Sequence, residues 1–66
     1  MITINLVLKN RVHTITVTRK VYVALREIIY RVHILNDKYW QSGSYQLECK
    51  SGKIYRFKGK DIGISL

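Results

Sequence analysis

The sequence predicts a small α+β domain in which a β-hairpin, one helix and a second β-hairpin follow one another. Residues 2–17 and 45–57 alternate apolar with polar side chains, which is the period of half-buried strands. Residues 18–36 between them repeat apolar side chains at helical spacing. The chain has 66 residues, 47% of them hydrophobic, which is enough for one core only. We therefore expect a single domain over residues 1–66.

The first hairpin is predicted from two alternating segments, Ile2 to Lys9 and Val12 to Val17, joined at Asn10-Arg11. A register that keeps the large apolar side chains on one face pairs Leu8 with His13, Leu6 with Ile15 and Ile4 with Val17. The opposite face then carries polar side chains, as expected of a solvated sheet surface: Thr3, Asn5, Thr14 and Thr16.

The helix is predicted to begin after Thr18, whose hydroxyl can cap the first turn. One apolar stripe faces the core and consists of Val21, Leu25, Ile28, Val32 and Leu35, with Ala24 and Ile29 at its sides. A second stripe, formed by Val23, Tyr30 and Ile34, lies on the far side among Arg19, Arg26 and His33. A solitary small domain would carry mainly polar residues there, so a second functional surface is implied.

The second hairpin joins Tyr45–Cys49 to Lys53–Phe57. A three-residue loop with Gly52 in the left-handed conformation pairs Cys49 with Lys53, Leu47 with Tyr55 and Tyr45 with Phe57. Residues 36–38 end the helical pattern and residues 41–44 are predicted to form a loop. Residues 58–66 predict a turn and allow a short edge strand that ends in Ile62, Ile64 and Leu66. The expected core is Ile4, Leu6, Ile15, Val17, Leu25, Ile28, Val32, Leu47, Tyr55 and Phe57.

This order of elements is that of a β-grasp. The chain resembles the bacterial ubiquitin-like proteins of the YukD type, through the hairpins ITINLVLKN/VHTITVT and YQLECKSGKIYRF, the intervening helix and the ending Asp61-Ile62-Gly63-Ile64. The resemblance implies a β-grasp-like fold. The chain departs from that family because it stops at Leu66, without the Gly-Asp-x-Leu final strand, and has no Gly-Gly tail. Conjugation in the manner of ubiquitin is therefore not expected.

Residues for catalysis or metal binding are sparse. The four acidic residues stand singly, and the spacings of His13, His33, Cys49 and Asp61 fit neither a zinc site nor a carboxylate cage. Cys49 is the one candidate nucleophile, but it falls on the predicted core face, where a buried thiol is the commoner outcome. The glycines are isolated, so no phosphate-binding loop is expected. We expect neither an enzyme nor a cofactor nor a small-molecule substrate.

The single cysteine excludes an internal disulfide and favours a reducing compartment, so a cytoplasmic location is expected. The N-terminus alternates apolar with polar residues, unlike a secretory leader. No segment approaches the roughly 20 apolar residues that cross a bilayer. We expect neither secretion nor membrane insertion.

With no reactive site, the function is expected to be binding. The leading interpretation is a non-enzymatic module that binds a protein partner, as an accessory or inhibitory factor. The expected interface is the second stripe together with Glu27, which lies among its residues. The same surface is expected to form a two-fold homodimer. Its residues are Val23, Glu27, Tyr30 and Ile34. Tyr39-Trp40 either covers one end of the core or provides an exposed aromatic anchor.

The net charge of +8 supports an alternative from another class, because it attracts nucleic acid as well as acidic protein. Tyr55 and Phe57 face the core in the proposed register, so they give no platform for stacked bases. Nucleic-acid binding would then be independent of sequence and rest on cationic side chains: Arg19, Lys20, Arg26, Lys50, Lys53, Arg56, Lys58 and Lys60.

Overall fold

The computed structural model describes residues 1–65, so Leu66 of the predicted edge strand lies outside the described residues. It is a small α+β domain with one main helix and two antiparallel sheets. In chain order the elements are β1 (Ile2–Leu8), β2 (Arg11–Val17), α1 (Arg19–Ile29), a π-helical turn (Tyr30–Ile34), α2 (Lys38–Ser42), β3 (Ser44–Glu48), β4 (Ile54–Lys58), a 3-10 turn (Gly59–Asp61) and β5 (Ile62–Ser65). The predicted class and the predicted hairpin, helix, hairpin order are confirmed.

The five strands form two sheets, one with the order β2-β1-β5 and one with β3-β4. β1 lies in the centre of the larger sheet and pairs antiparallel with both of its neighbours. β5 is the short edge strand that the sequence allowed. The two sheets meet where the backbone N–H of Lys50 donates to the carbonyl of Thr16 at 2.8 Å. The turn between β3 and β4 therefore lies against the outer side of β2.

The predicted register of the first hairpin was wrong by two residues. Ile4 pairs with Ile15 and Leu6 pairs with His13, so the connection is the two-residue turn Lys9-Asn10. Both turn residues have positive φ, 48° and 69°, which is the signature of a type I′ turn. A shift of two residues leaves every side chain on its face, so the predicted faces are correct. Hydrogen bonds on the polar face join Thr3 with Thr16 and Thr14 with Asn5.

The second hairpin has the predicted register. Leu47 pairs with Tyr55 and Tyr45 pairs with Phe57, while the N–H of Cys49 donates to the carbonyl of Lys53 at 2.9 Å. Gly52 has a φ of 93° and its N–H donates to the carbonyl of Cys49. Glycine adopts this left-handed conformation without steric cost, which explains the three-residue loop.

The main helix begins as predicted, because the Thr18 hydroxyl accepts from the N–H of Val21 at 3.3 Å. Its last turn is π-helical, and the N–H of Leu35 donates to the carbonyl of Tyr30, five residues earlier. A π-helical turn contains more residues than an α-helical turn, so the residues after it lie on a different side of the helix from the one that a spacing of 3.6 residues predicts. Leu35 was expected on the core stripe but is 52% exposed, which corrects that prediction. Ala24 is exposed as well.

A short second helix, α2, replaces part of the predicted loop at residues 41–44. The Asp37 carboxylate caps it by accepting from the N–H groups of Tyr39 and Trp40. The amide of Gln41 donates to the carbonyl of Val32, one of the groups at the end of the π-helical turn. α2 thus provides a hydrogen-bond donor for a backbone carbonyl at the end of the main helix, and the chain then continues into β3.

The core lies between the sheets and the main helix, with Leu25 and Val32 as the buried helical residues. Ile28 and Tyr55 were expected to be buried but are half-buried, since they pack at the margin of the core. Ile62 was not among the predicted core residues, yet it is almost fully buried because β5 joins the larger sheet. The buried set is Ile4, Leu6, Ile15, Val17, Leu25, Val32, Leu47, Cys49, Phe57 and Ile62.

Candidate functional site

The second stripe of the main helix is exposed to solvent. Val23 is 57% exposed, Tyr30 is 52% exposed and Ile34 is 68% exposed. Ile34 lies on the same side as Tyr30, because residues four apart on a helix are separated by about one turn. We call Val23, Tyr30 and Ile34 the helix surface. It carries three large apolar side chains that the core does not use.

A shallow groove of about 350 Å³ continues the helix surface toward β5. Ile64 contributes from the edge strand, and Arg26 is the one charged side chain that residues 1–65 place in the lining. The sequence pattern did not reveal this groove, because the position of β5 beside the helix depends on the tertiary pairing with β1. The full lining is Tyr22, Arg26, Ile29, Tyr30, Ile34 and Ile64.

Glu27, which was predicted to belong to the interface, is engaged within the chain. Its carboxylate accepts from the Nε of Arg31 at 3.1 Å, four residues later on the helix. The Arg31 guanidinium also lies over the ring of Trp40, 4.8 Å from its centre. Because both ion-pair partners are partly exposed, the pair contributes little to stability. It does neutralise one of the positive charges beside the helix surface.

The two residues of the aromatic pair have different environments. Trp40 is half-buried and stacks with Tyr45, their ring centres 5.9 Å apart, and Tyr45 stacks in turn with Phe57. Trp40 therefore covers one end of the core. Tyr39 is 81% exposed and is available as an anchor for a partner.

The eight predicted cationic residues do not form one site. Three of them, Arg19, Lys20 and Arg26, lie on the main helix. Lys50 and Lys53 flank the turn between β3 and β4, where the Lys53 ammonium lies over the ring of Tyr55. The remaining three line one cleft: Arg56, Lys58 and Lys60.

This cleft, of about 1130 Å³, lies between the tip of the first hairpin and the β3-β4 sheet. Among the residues that the structure describes, five lysines and arginines line it together with His13, and Asp61 is the one acidic residue in the lining. We call this group the basic cleft; its cationic residues are Lys9, Arg11, Arg56, Lys58 and Lys60. Sequence reasoning missed Lys9 and Arg11, because the signal appears only when the hairpin tip is placed against β4.

The cations of the basic cleft have no acidic partner in the part of the chain that the structure describes. The one salt bridge within residues 1–65 is the Glu27–Arg31 pair, which lies on the main helix. The Nε of Arg56 donates to the Oε1 of Gln46 across the sheet at 3.2 Å, which orients its guanidinium. The cleft is thus a predominantly positive surface in which the Arg56 guanidinium is held in place.

Within residues 1–65, no cluster of three or more histidine, cysteine or acidic side chains is arranged to hold a metal ion. No helix there has the length and apolar character needed to cross a membrane. Cys49 is buried, and burial raises the pKa of its thiol, although the nearby Lys53 opposes the shift. The chain matches no protein-family model, no curated protein and no solved structure.

Proposed function

We propose that this chain is a small non-enzymatic interaction module that binds a protein partner through the helix surface. The observation that carries the proposal is the exposure of Val23, Tyr30 and Ile34 beside an apolar groove. Exposed apolar groups that are contiguous with a groove mark interaction sites more often than scattered ones do. Tyrosine is also enriched at the centres of protein interfaces.

The chemistry of the groove indicates which partner fits it. Five of its six lining side chains are apolar or aromatic, so they favour an apolar side chain of the partner. Arg26 supplies one cation at the margin, which suits an acidic residue next to that apolar group. The partner we propose is therefore a protein with an apolar anchor flanked by negative charge. By occupying that protein, the chain would act as an accessory or inhibitory factor in the cytoplasm.

The proposed family relationship is a β-grasp-like, ubiquitin-like fold of the YukD type. The order of hairpin, helix, hairpin and final strand supports it. A crystal structure would test it, because the order and the directions of the strands around β1 could then be compared with those of a β-grasp. A protein-binding role does not depend on the outcome, since it rests on the helix surface alone.

The test compares two double variants of matched composition. Val23→Ala with Tyr30→Ala removes one valine and one tyrosine side chain from the helix surface. Val12→Ala with Tyr39→Ala removes the same groups from exposed positions on β2 and α2. Wild-type protein and the second variant should retain the same partner from a cytoplasmic extract of the source organism, whereas the first variant should lose it. Truncating an interface anchor costs about 2 kcal/mol or more, roughly thirtyfold in affinity.

Purified partner then gives the affinity of each variant by calorimetry. Equal binding by wild type and the Val23/Tyr30 variant would contradict the proposal. Loss of binding only in the Val12/Tyr39 variant would move the interface to α2 and its exposed tyrosine. Circular dichroism of both variants checks that neither has lost its fold.

A further inference from the structure

We propose that the basic cleft binds the phosphodiester backbone of nucleic acid, independently of base sequence. This site is separate from the helix surface, and its cationic residues come from β1–β2, β4 and the 3-10 turn. Five positive side chains converge on it, while twelve lysine and arginine residues are distributed over the whole chain. Such a concentration of one sign of charge in a concave site focuses the electrostatic field on a bound anion.

The composition of the cleft favours a polyphosphate over an acidic protein. The centre of a protein–protein interface usually carries few charged side chains and many apolar and aromatic ones. Within residues 1–65, no large apolar residue that is exposed to solvent lines the cleft. A phosphodiester chain needs no apolar anchor, because each nucleotide brings one negative charge that a lysine or arginine can neutralise. Arg56, held by Gln46, is placed to bind two oxygens of one phosphate.

The aromatic residues of the cleft explain why binding would not depend on the base sequence of the nucleic acid. Tyr45 lines the cleft, but it stacks with Trp40 and with Phe57, and its hydroxyl donates to the carbonyl of Trp40. Phe57 is buried. The His13 ring packs against Tyr55. These contacts use the ring surfaces that a nucleobase would need for stacking. The backbone is therefore the part of the ligand that the cleft can hold.

The cleft also has a continuation around the tip of the first hairpin. A second hollow, of about 480 Å³, shares Lys9, Lys60 and Asp61 with it and adds His33. A flexible strand can follow both depressions around the turn, whereas a rigid duplex cannot bend so sharply. The ligand that fits best is therefore single-stranded.

The deciding experiment measures the affinity for a labelled single strand of about 20 nucleotides, longer than the sites of most small single-strand-binding domains. The cleft variant carries Arg56→Gln, Lys58→Gln and Lys60→Gln. The control variant carries Arg19→Gln, Lys20→Gln and Lys50→Gln, which remove the same charge outside the cleft. We expect at least a tenfold loss of affinity in the cleft variant and less than about threefold in the control, since each phosphate contact contributes additively to the salt-dependent affinity.

Salt dependence gives a second measure. If all five cations neutralise phosphates, the slope of log affinity against log salt is about −3.5 for a single strand, and the cleft variant should have a shallower slope of about −1.4. Equal losses in the two triple variants would overturn the site, because the net charge alone would then explain binding. Equal or tighter binding of polyglutamate or of anionic vesicles would overturn the assignment to nucleic acid. Tighter binding of a duplex would overturn the single-strand preference. The Val23/Tyr30 variant should bind the strand like wild type, which separates this outcome from that of the protein-partner test.

Discussion

At the scale of single residues, the buried thiol of Cys49 makes the fold sensitive to alkaline pH. The side chain is 7% exposed, and burial raises the pKa of the thiol above its ordinary value, with Lys53 opposing and Glu48 assisting the shift. The unfolded chain therefore gives up this proton at a lower pH than the folded chain does. The stabilising contribution is complete below the ordinary thiol pKa of about 8.5 and declines as the pH rises above it.

We predict that the free energy of unfolding falls more steeply between about pH 8 and pH 10 in wild type than in Cys49→Ala. Urea unfolding followed by circular dichroism at a series of pH values measures the difference. Burial also raises the pKa of the Tyr45 hydroxyl, but that group is present in both proteins and cancels. Identical pH profiles would show that Cys49 does not contribute.

Residues with a single dominant local role could be predicted from the sequence. Thr18 before an apolar helical pattern predicted the N-cap, and Gly52 three residues after a strand predicted the left-handed loop position. Lys9 and Asn10 could not be predicted in the same way. Lysine seldom adopts positive φ, so the sequence favoured a two-residue turn at Asn10-Arg11 over the turn at Lys9-Asn10 that the structure shows.

At the scale of secondary-structure elements, the turn of the first hairpin can be improved. Type I′ turns favour Asn-Gly, whereas this chain places Lys9 and Asn10 in left-handed conformations. We predict that Lys9→Asn with Asn10→Gly raises the free energy of unfolding by about 0.5–1 kcal/mol, because the strain at both positions is relieved. Chemical denaturation measures the change. An unchanged or lower stability would indicate that the turn is not of this type.

The main helix shows the limit of periodicity. A spacing of 3.6 residues placed Val21, Leu25 and Val32 correctly toward the core, but it also placed Leu35 there. The π-helical turn changes which residues after Tyr30 face the core. The contacts that stabilise this turn come from elsewhere in the chain. Gln41 donates to Val32, and the Nε2 of His33 lies 2.6 Å from the carbonyl of Ile62. These partners are tertiary, so a local pattern could not indicate them.

At the scale of the whole molecule, the helix surface is predicted to support a two-fold homodimer. A core of ten buried residues in so small a domain leaves a stability of about 3–10 kcal/mol, and a two-fold contact lets one surface serve both copies. The net charge of +8 opposes association, so dimerisation should strengthen with salt. Sedimentation equilibrium over a range of protein and salt concentrations measures it.

The Val23→Ala/Tyr30→Ala variant should remain monomeric under the conditions in which wild type dimerises. The Val12→Ala/Tyr39→Ala variant should dimerise like wild type, because its substitutions lie outside the helix surface. A wild-type protein that stays monomeric up to about millimolar concentration, the level at which only about 4 kcal/mol of binding energy would be needed, contradicts the dimer. The partner that binds the helix surface would then be a different protein.

The basic cleft is a property of the whole molecule that the sequence indicated only in part. Composition predicted a polyanion as one class of ligand, and three cleft residues were among the eight named: Arg56, Lys58 and Lys60. Lys9 and Arg11 are about fifty positions away in the sequence and join them only through tertiary packing. The net charge can therefore be predicted from composition, whereas the fold determines which cationic side chains lie together.

The stacking of Trp40 with Tyr45 gives the protein a built-in optical reporter. Trp40 is the only tryptophan, and its ring contacts both the Arg31 guanidinium and Tyr45, a residue of the cleft wall. Indole emission responds to nearby charge and to the polarity around the ring. A ligand entering the cleft would disturb that environment through Tyr45, which lines the cleft and stacks with Trp40. The intrinsic fluorescence of the unlabelled protein can thus report occupation of the cleft without any added label.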